Sequence, residues 1–150
     1  MGRSGRTLDE PQTNSADHRE DGAVFTDTEL RFLESLQQGR LVTIGPDDAP
    51  QIHPVRFVVD SGAGSLDISS GRLRESHKYR NVRRDPRVSL IVDDPSLPLR
   101  GFDETTGRGV EIHGFAELAQ KAGADVIRIR AVRVDSWNLG DAGHHSRFVS

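Results

Sequence analysis

Apolar and polar positions change their period along the chain, and each change marks an element. From Gly2 to Gly22 the residues are rich in Asp, Glu, Arg, Ser and Thr with a single Leu, too little apolar surface to offset the entropy of ordering them. Residues 1–24 therefore read as a disordered tail, residues 25–140 as the folded domain and residues 141–150 as a C-terminal tail. Thr26-Asp27-Thr28-Glu29 has the spacing of a capping box, in which the hydroxyl and the carboxylate three residues on each accept from the other's backbone. Leu30, Leu33 and Leu36 then recur at helical spacing. The pattern predicts a short amphipathic helix to about Gln38, stopped by Gly39.

Beyond Gly39 the period becomes two. Arg40–Gly45 is β-branched and is followed by the turn residues Pro46-Asp47-Asp48-Ala49. Gln51–Asp60 reads as a longer strand with His53, Val55, Phe57 and Val59 on one face and Arg56 and Val58 on the other. A Gly-rich loop at residues 61–64 leads to a third strand, Ser65–Ser70. A basic helix from about Arg74 to Arg84 follows, ended by Pro86. Val88, Leu90 and Val92 mark a fourth strand, and residues 95–107 a long loop. Val110, Ile112, Gly114, Ala116 and Leu118 line one face of a fifth strand. After a turn at Lys121-Ala122-Gly123-Ala124, Val126–Val134 is the sixth, with Ile127, Ile129 and Ala131 opposite Arg128 and Arg130. The expected class is mainly β: a six-stranded antiparallel barrel or sandwich with an N-terminal helix and an inserted helix. Closure into a barrel removes exposed edges.

Composition narrows the chemistry. The chain has 150 residues, room for one ordinary domain, and no cysteine, so disulfides, thiolate metal sites and cysteine nucleophiles are excluded. No apolar run approaches the ~18 residues that span a bilayer, so no membrane partner is expected and a soluble, cytoplasmic protein is the default. Hydrophobic residues make up 34% of the chain. That is low for a self-sufficient small core, so a homodimer that buries further apolar surface is expected. Charge is unevenly spread. Residues 1–29 hold seven acids against three bases, while residues 72–87 hold seven bases against Glu75 and Asp85.

That basic segment carries the candidate chemistry. Ser69 and Ser70 end a strand, and Ser76-His77-Lys78-Tyr79-Arg80-Asn81 follow in the helix. Hydroxyls and backbone N–H groups at a strand-to-helix junction, with cations beside them, suit a phosphate. Arg74, Lys78 and Asn81 fall on one helical face, Tyr79 and Val82 pack inward, and Arg56 offers a second cation. A solvated helix with a serine at its start has the same pattern. Nucleic acid is disfavoured as a partner, because one Tyr and one Trp supply little surface for stacking bases. No carboxylate pair or nucleophile–base set appears, so catalytic residues stay unassigned; His53 and Tyr79 are the candidate proton donors. Glu111, His113 and Glu117 share a strand face but span about 20 Å, too far for one ion. His144-His145 reads as tail, so no metal site is expected.

The run Ser65–Asp93, with Arg40–Asp60 before it and Arg108–Leu118 and Val126–Leu139 after it, resembles the pyridoxamine 5′-phosphate oxidase-like split β-barrels over roughly residues 26–140. The subgroup that uses the deazaflavin coenzyme F420 is the most similar in its fifth and sixth strands. The resemblance implies a Greek-key split barrel of the FMN-binding type and a flavin- or deazaflavin-dependent oxidoreductase that transfers a hydride, with a non-catalytic flavin- or F420-binding carrier as the alternative. It further implies a small-molecule substrate and a homodimer with the cofactor at the subunit interface. It places Arg56 at the cofactor phosphate, the backbone of Arg56-Phe57-Val58 beside the ring, and Ser69, Ser70, His77 and Lys78 at the phosphate end, where the helical face read above adds Asn81. Trp137 would reach the cofactor held mainly by the other subunit. Gly109 stands where the FMN-dependent oxidases carry a glutamine, and the C-terminal substrate motif of the vitamin-salvage oxidases is absent. The surplus of Arg80, Arg83 and Arg84 leans toward F420, whose phosphodiester and acidic tail are more anionic than FMN, the alternative cofactor.

Overall fold

A computed structural model describes residues 23–96, 107–140 and 143–149. Nearly all of the expected N-terminal tail and most of the loop at 95–107 lie outside the described residues. The capping box forms as expected: Glu29 N–H donates to Thr26 Oγ1 and Thr26 N–H to Glu29 Oε1, both at 3.1 Å. Helix α1 (Asp27–Leu36) stops earlier than the glycine implied, because Gln37 takes the left-handed conformation at φ 58°. Gly39 instead lies within strand β1 (Gln38–Ile44), where an added Cβ would stand 2.7 Å from the Ile91 carbonyl oxygen. Its role is close approach of strands, not helix termination.

Six antiparallel strands close the barrel. Strands β2 (Pro50–Asp60) and β3 (Ser65–Ile68) precede a 3₁₀ turn (Leu73–Glu75) and helix α2 (His77–Arg84). Strands β4 (Arg87–Asp94), β5 (Arg108–Lys121) and β6 (Ala124–Trp137) follow. The sheet order is β3-β2-β1-β4-β5-β6, and pairing of β3 with β6 closes it. A further strand, β7 (His144–Phe148), adds to β6, so most of the segment expected as a C-terminal tail is strand. Among the described residues no helix is long and apolar enough to cross a membrane.

One irregularity sets the far end of the barrel. His113 pairs with Arg133 and Gly114 with Ala131, leaving Val132 as an extra residue on β6. Before this bulge Ile127 and Ile129 face inward; after it Val134 and Ser136 do. A bulge reverses which side chains face the core, so Arg133, Asp135 and Trp137 turn outward. Gly114 admits the kink, because a Cβ there would stand 2.0 Å from the Arg130 carbonyl oxygen.

Strand β7 is tied to α1 by charge. Arg147 donates to Glu29, whose side chain is 2% exposed, and to the Val24 carbonyl oxygen. The same carboxylate thus caps the helix and anchors the last strand. Arg147→Ala would leave it buried and unpaired, which costs about 3–5 kcal/mol. Urea denaturation should show a loss of that size, and a loss under about 1 kcal/mol would mean that the pair behaves as a surface one.

Candidate cofactor site at the β2, β3 and α2 junction

The basic segment folds so that most of its charge is engaged. Arg72 pairs with Glu75 at 2.6 Å, Arg74 with Asp125 at 2.7 Å and Arg87 with Asp85 at 2.7 Å. Arg80 donates to the Glu75 carbonyl oxygen and Arg84 to the Ile44 carbonyl oxygen. Among the described residues the side chains of Lys78 and Arg83 have no ion-pair or hydrogen-bond partner, and neither does that of Arg56 on β2. Arg87 holds the Asp85 carboxyl down to about 2 through hydrogen bonds to its side chain. Local folding therefore reduces a broad basic run to a few uncommitted cations.

Helix α2 begins at a proper cap. Ser76 Oγ accepts from the Tyr79 N–H at 3.2 Å and donates to the Leu73 carbonyl oxygen at 2.6 Å. The extended conformation of Ser76 breaks the predicted single helix in two, so Arg74 sits in the 3₁₀ turn and not on the face of Lys78. Asn81 also departs from that expected face. It is 3% exposed, and its amide donates to Thr43 Oγ1 at 2.9 Å and Gln51 Oε1 at 2.8 Å while its oxygen accepts from Arg84. Both amide hydrogens are engaged, which makes Asn81 a residue that seats the helix rather than one that reaches a ligand. Tyr79 and Val82 pack into the core as expected.

Two open clefts run along β2. One, of about 430 Å³, is lined by Gln51, Ile52, His53 and His77; the other, of about 300 Å³, by Gln38, Gly39, Pro54, Val55 and Arg56. Phe57 pairs with Ile68, so the same register carried one residue on sets Arg56 beside Ser69. Ser69 and Ser70 are exposed just past β3. Phe57 has its side chain in the core, whereas Val58 is 53% exposed. His77 opens onto the larger cleft, and Lys78 lies close enough to act electrostatically on His53.

His53 Nε2 lies 2.8 Å from Thr43 Oγ1. Burial first, and then the positive charges of Lys78 and His77, hold its pKa below the usual imidazole value. The ring is therefore neutral at pH 7 and is not an imidazolium acid. Tyr79, the other candidate donor, is buried at 6% exposure with Arg74 over its ring. Thr43 and Gln51 escaped notice in the sequence, where a threonine in a β-branched run and a glutamine after a turn look ordinary. Their alternation with Leu41 and His53 on inward-facing positions was the available signal.

Trp137 is not brought to this junction. It lines neither cleft along β2, and β3, which closes the barrel against β6, pairs with Ile127–Arg130 at the other end of that strand. Its indole packs over Gly109, where an added Cβ would stand 2.5 Å from Trp137 Cζ2 and 2.9 Å from the Val92 carbonyl oxygen. No side chain fits at position 109 while the indole lies there.

The arrangement can be set beside known proteins. A family model described as pyridoxamine 5′-phosphate oxidase matches residues 25–142. A 5a,11a-dehydrotetracycline/5a,11a-dehydrooxytetracycline reductase of Streptomyces rimosus is 34% identical over 137 residues, 84% of this chain and 94% of that protein. Among solved structures, a conserved hypothetical protein of Mycobacterium tuberculosis is 26% identical with a TM-score of 0.60, covering 82% of this chain and 91% of that one. An F420 reductase is 25% identical with a TM-score of 0.51, covering 67% of this chain and 94% of that one. Fold, matched span and relatives agree: two of these relatives are named reductases, and the chain belongs to the pyridoxamine 5′-phosphate oxidase family.

Proposed function

We propose that this oxidoreductase transfers a hydride from reduced coenzyme F420 to an unsaturated small-molecule substrate, as a homodimer with the cofactor at the subunit interface. The carrying observation is the pair of cations without counter-charge, Arg56 and Lys78, at a strand-to-helix junction that also presents the Ser69 and Ser70 hydroxyls. A phosphate is the ligand that such a set suits, since charge-assisted bonds to it are short and strong. In this reading Arg56, Ser69, Ser70, His77 and Lys78 hold the phosphate, and the backbone of Arg56-Phe57-Val58 runs beside the ring. Asn81 fixes the helix from behind, and Trp137 meets the cofactor of the other subunit.

Three observations favour F420 over FMN. A solved relative at 25% identity is an F420 reductase. Gly109, under the Trp137 indole, leaves no room for the glutamine of FMN-dependent oxidases. Arg83 adds an unpaired cation for a ligand more anionic than FMN. The dimer is supported by exposed apolar side chains on the sheet, Ile52 at 68%, Val58 at 53% and Phe115 at 52%, apolar surface that a second copy would cover. When bound, the reduced cofactor supplies the hydride. The chain's share is to anchor the phosphate, orient the ring along β2 and exclude water by closing the outer face.

Reduced F420 mixed with a dehydrotetracycline-type substrate and this protein should be oxidised in step with substrate loss, and reduced FMN should not replace it. Lys78→Ala should weaken cofactor binding by about 1.5–3 kcal/mol, the range for a hydrogen bond to a charged group, with an unchanged melting temperature. Reduction driven by FMN alone contradicts the cofactor assignment, and unchanged affinity in Lys78→Ala removes the anchor.

A bound phosphate also predicts a shift at His53. Without ligand its folded pKa lies below the ordinary imidazole value of 6.5. The unfolded chain then takes up a proton that the folded one resists, and stability falls as the pH drops below 6.5 and on through the folded value. A phosphate beside His77 and Lys78 offsets their field, so saturating F420 should raise the His53 pKa in an NMR titration. No response would place the phosphate elsewhere.

A further inference from the structure

We propose that Glu111, His113 and Asp135 bind a divalent transition-metal ion on the outer face of the barrel, apart from the cofactor junction. Their ligand atoms all lie within 4.8 Å of one another. His113 Nε2 is 2.8 Å from Glu111 Oε2 and 3.6 Å from Asp135 Oδ2. A tetrahedral ion with bonds of about 2.1 Å sets its ligand atoms about 3.4 Å apart, so these side chains need only small adjustments to close on one ion. The open fourth position would hold water.

The strands fix this geometry from three sides. Glu111 and His113 alternate outward on β5, on either side of the fully buried Ile112. Register sets Asp135 of β6 opposite Glu111, and Ser89 of β4 opposite His113. His113 Nδ1 lies 2.9 Å from Ser89 Oγ, which turns Nε2 toward the carboxylates in the way that outer partners orient metal-binding histidines. Arg133 Nε occupies Asp135 Oδ1 at 3.1 Å, leaving Oδ2 directed at His113. The Arg133 side chain is 45% exposed and also lies over the Phe148 ring, so it has room to turn outward.

A single strand could not have built this site. Glu117, the third candidate ligand on the same face of β5, pairs with Arg130 at 3.0 Å. Asp135 reaches the group because the extra residue at Val132 turns it outward; with unbroken alternation from Ile127 and Ile129 it would face the core. The two carboxylates and one imidazole suit zinc and similar ions, which accept mixed nitrogen and oxygen ligands.

Calorimetric titration of the full chain with Zn²⁺ should show one ion per chain and a higher melting temperature in its presence. His113→Gln and Glu111→Gln should each weaken binding more than about 100-fold, and Ser89→Ala about tenfold, while a His144→Gln/His145→Gln variant should change it less than about twofold. The melting temperatures of these variants without metal report whether each remains folded, and Glu111, half-exposed, can be replaced without touching the core. Absence of binding in the parent chain overturns the proposal. So does binding that survives His113→Gln and Glu111→Gln in folded protein, or that disappears with the two C-terminal histidines.

Discussion

The buried amide of Asn81 determines where this protein presents its positive charge. It joins α2 to β1 through Thr43 and to β2 through Gln51, and its oxygen receives Arg84, which also holds the Ile44 carbonyl oxygen. An eight-residue helix has no stability of its own in water. Its position comes from this joint and from Tyr79 and Val82 beneath it. Because the polar atoms are buried, any displacement of the helix would leave several unpaired at about 1–3 kcal/mol each. The first turn is thereby held against β2, His77 on the cleft and Lys78 near His53. The pKa of His53, depressed first by burial, is lowered further by that proximity.

A second constraint acts at the opposite end of the sheet. The extra residue at Val132 reverses the alternation of β6, and the whole outer surface beyond it follows: Trp137 over Gly109, Asp135 beside Glu111, Arg133 under Phe148. One backbone insertion thus lays the indole over Gly109, outside both clefts along β2. Gly109 and Gly114 are permitted no side chain for related reasons, one because an indole lies on it and one because a carbonyl does.

Much of this was legible before any coordinates. The capping box, the period-two segments, the inward packing of Tyr79 and the opposite faces of His53 and Arg56 all follow from local chemistry, which acts over a few residues. The misreadings share a different cause, since each depends on a neighbour far along the chain. Gly39 looked like a helix stop because β4, which crowds it, lies some fifty residues on. Arg74 and Asn81 looked like ligands because Asp125, Thr43 and Gln51 could not be seen beside them. His144–Phe148 looked like tail because its pairing partner is β6 and its anchor is Glu29 of α1. Asp135 could not join Glu111 and His113 on paper, since the bulge that turns it outward leaves no mark on hydrophobic periodicity.

The central claim is that a buried polar joint, not the cations alone, builds the cofactor site. Asn81→Ala removes the joint while leaving Arg56, Lys78 and both serines in place. Cofactor affinity of this variant, measured by F420 titration under conditions where circular dichroism shows it folded, tests the claim directly. Affinity lower by about tenfold or more, equivalent to ~1.4 kcal/mol or more and within reach of the hydrogen bonds lost, is the predicted result. A folded Asn81→Ala chain that binds F420 as tightly as the parent would contradict it.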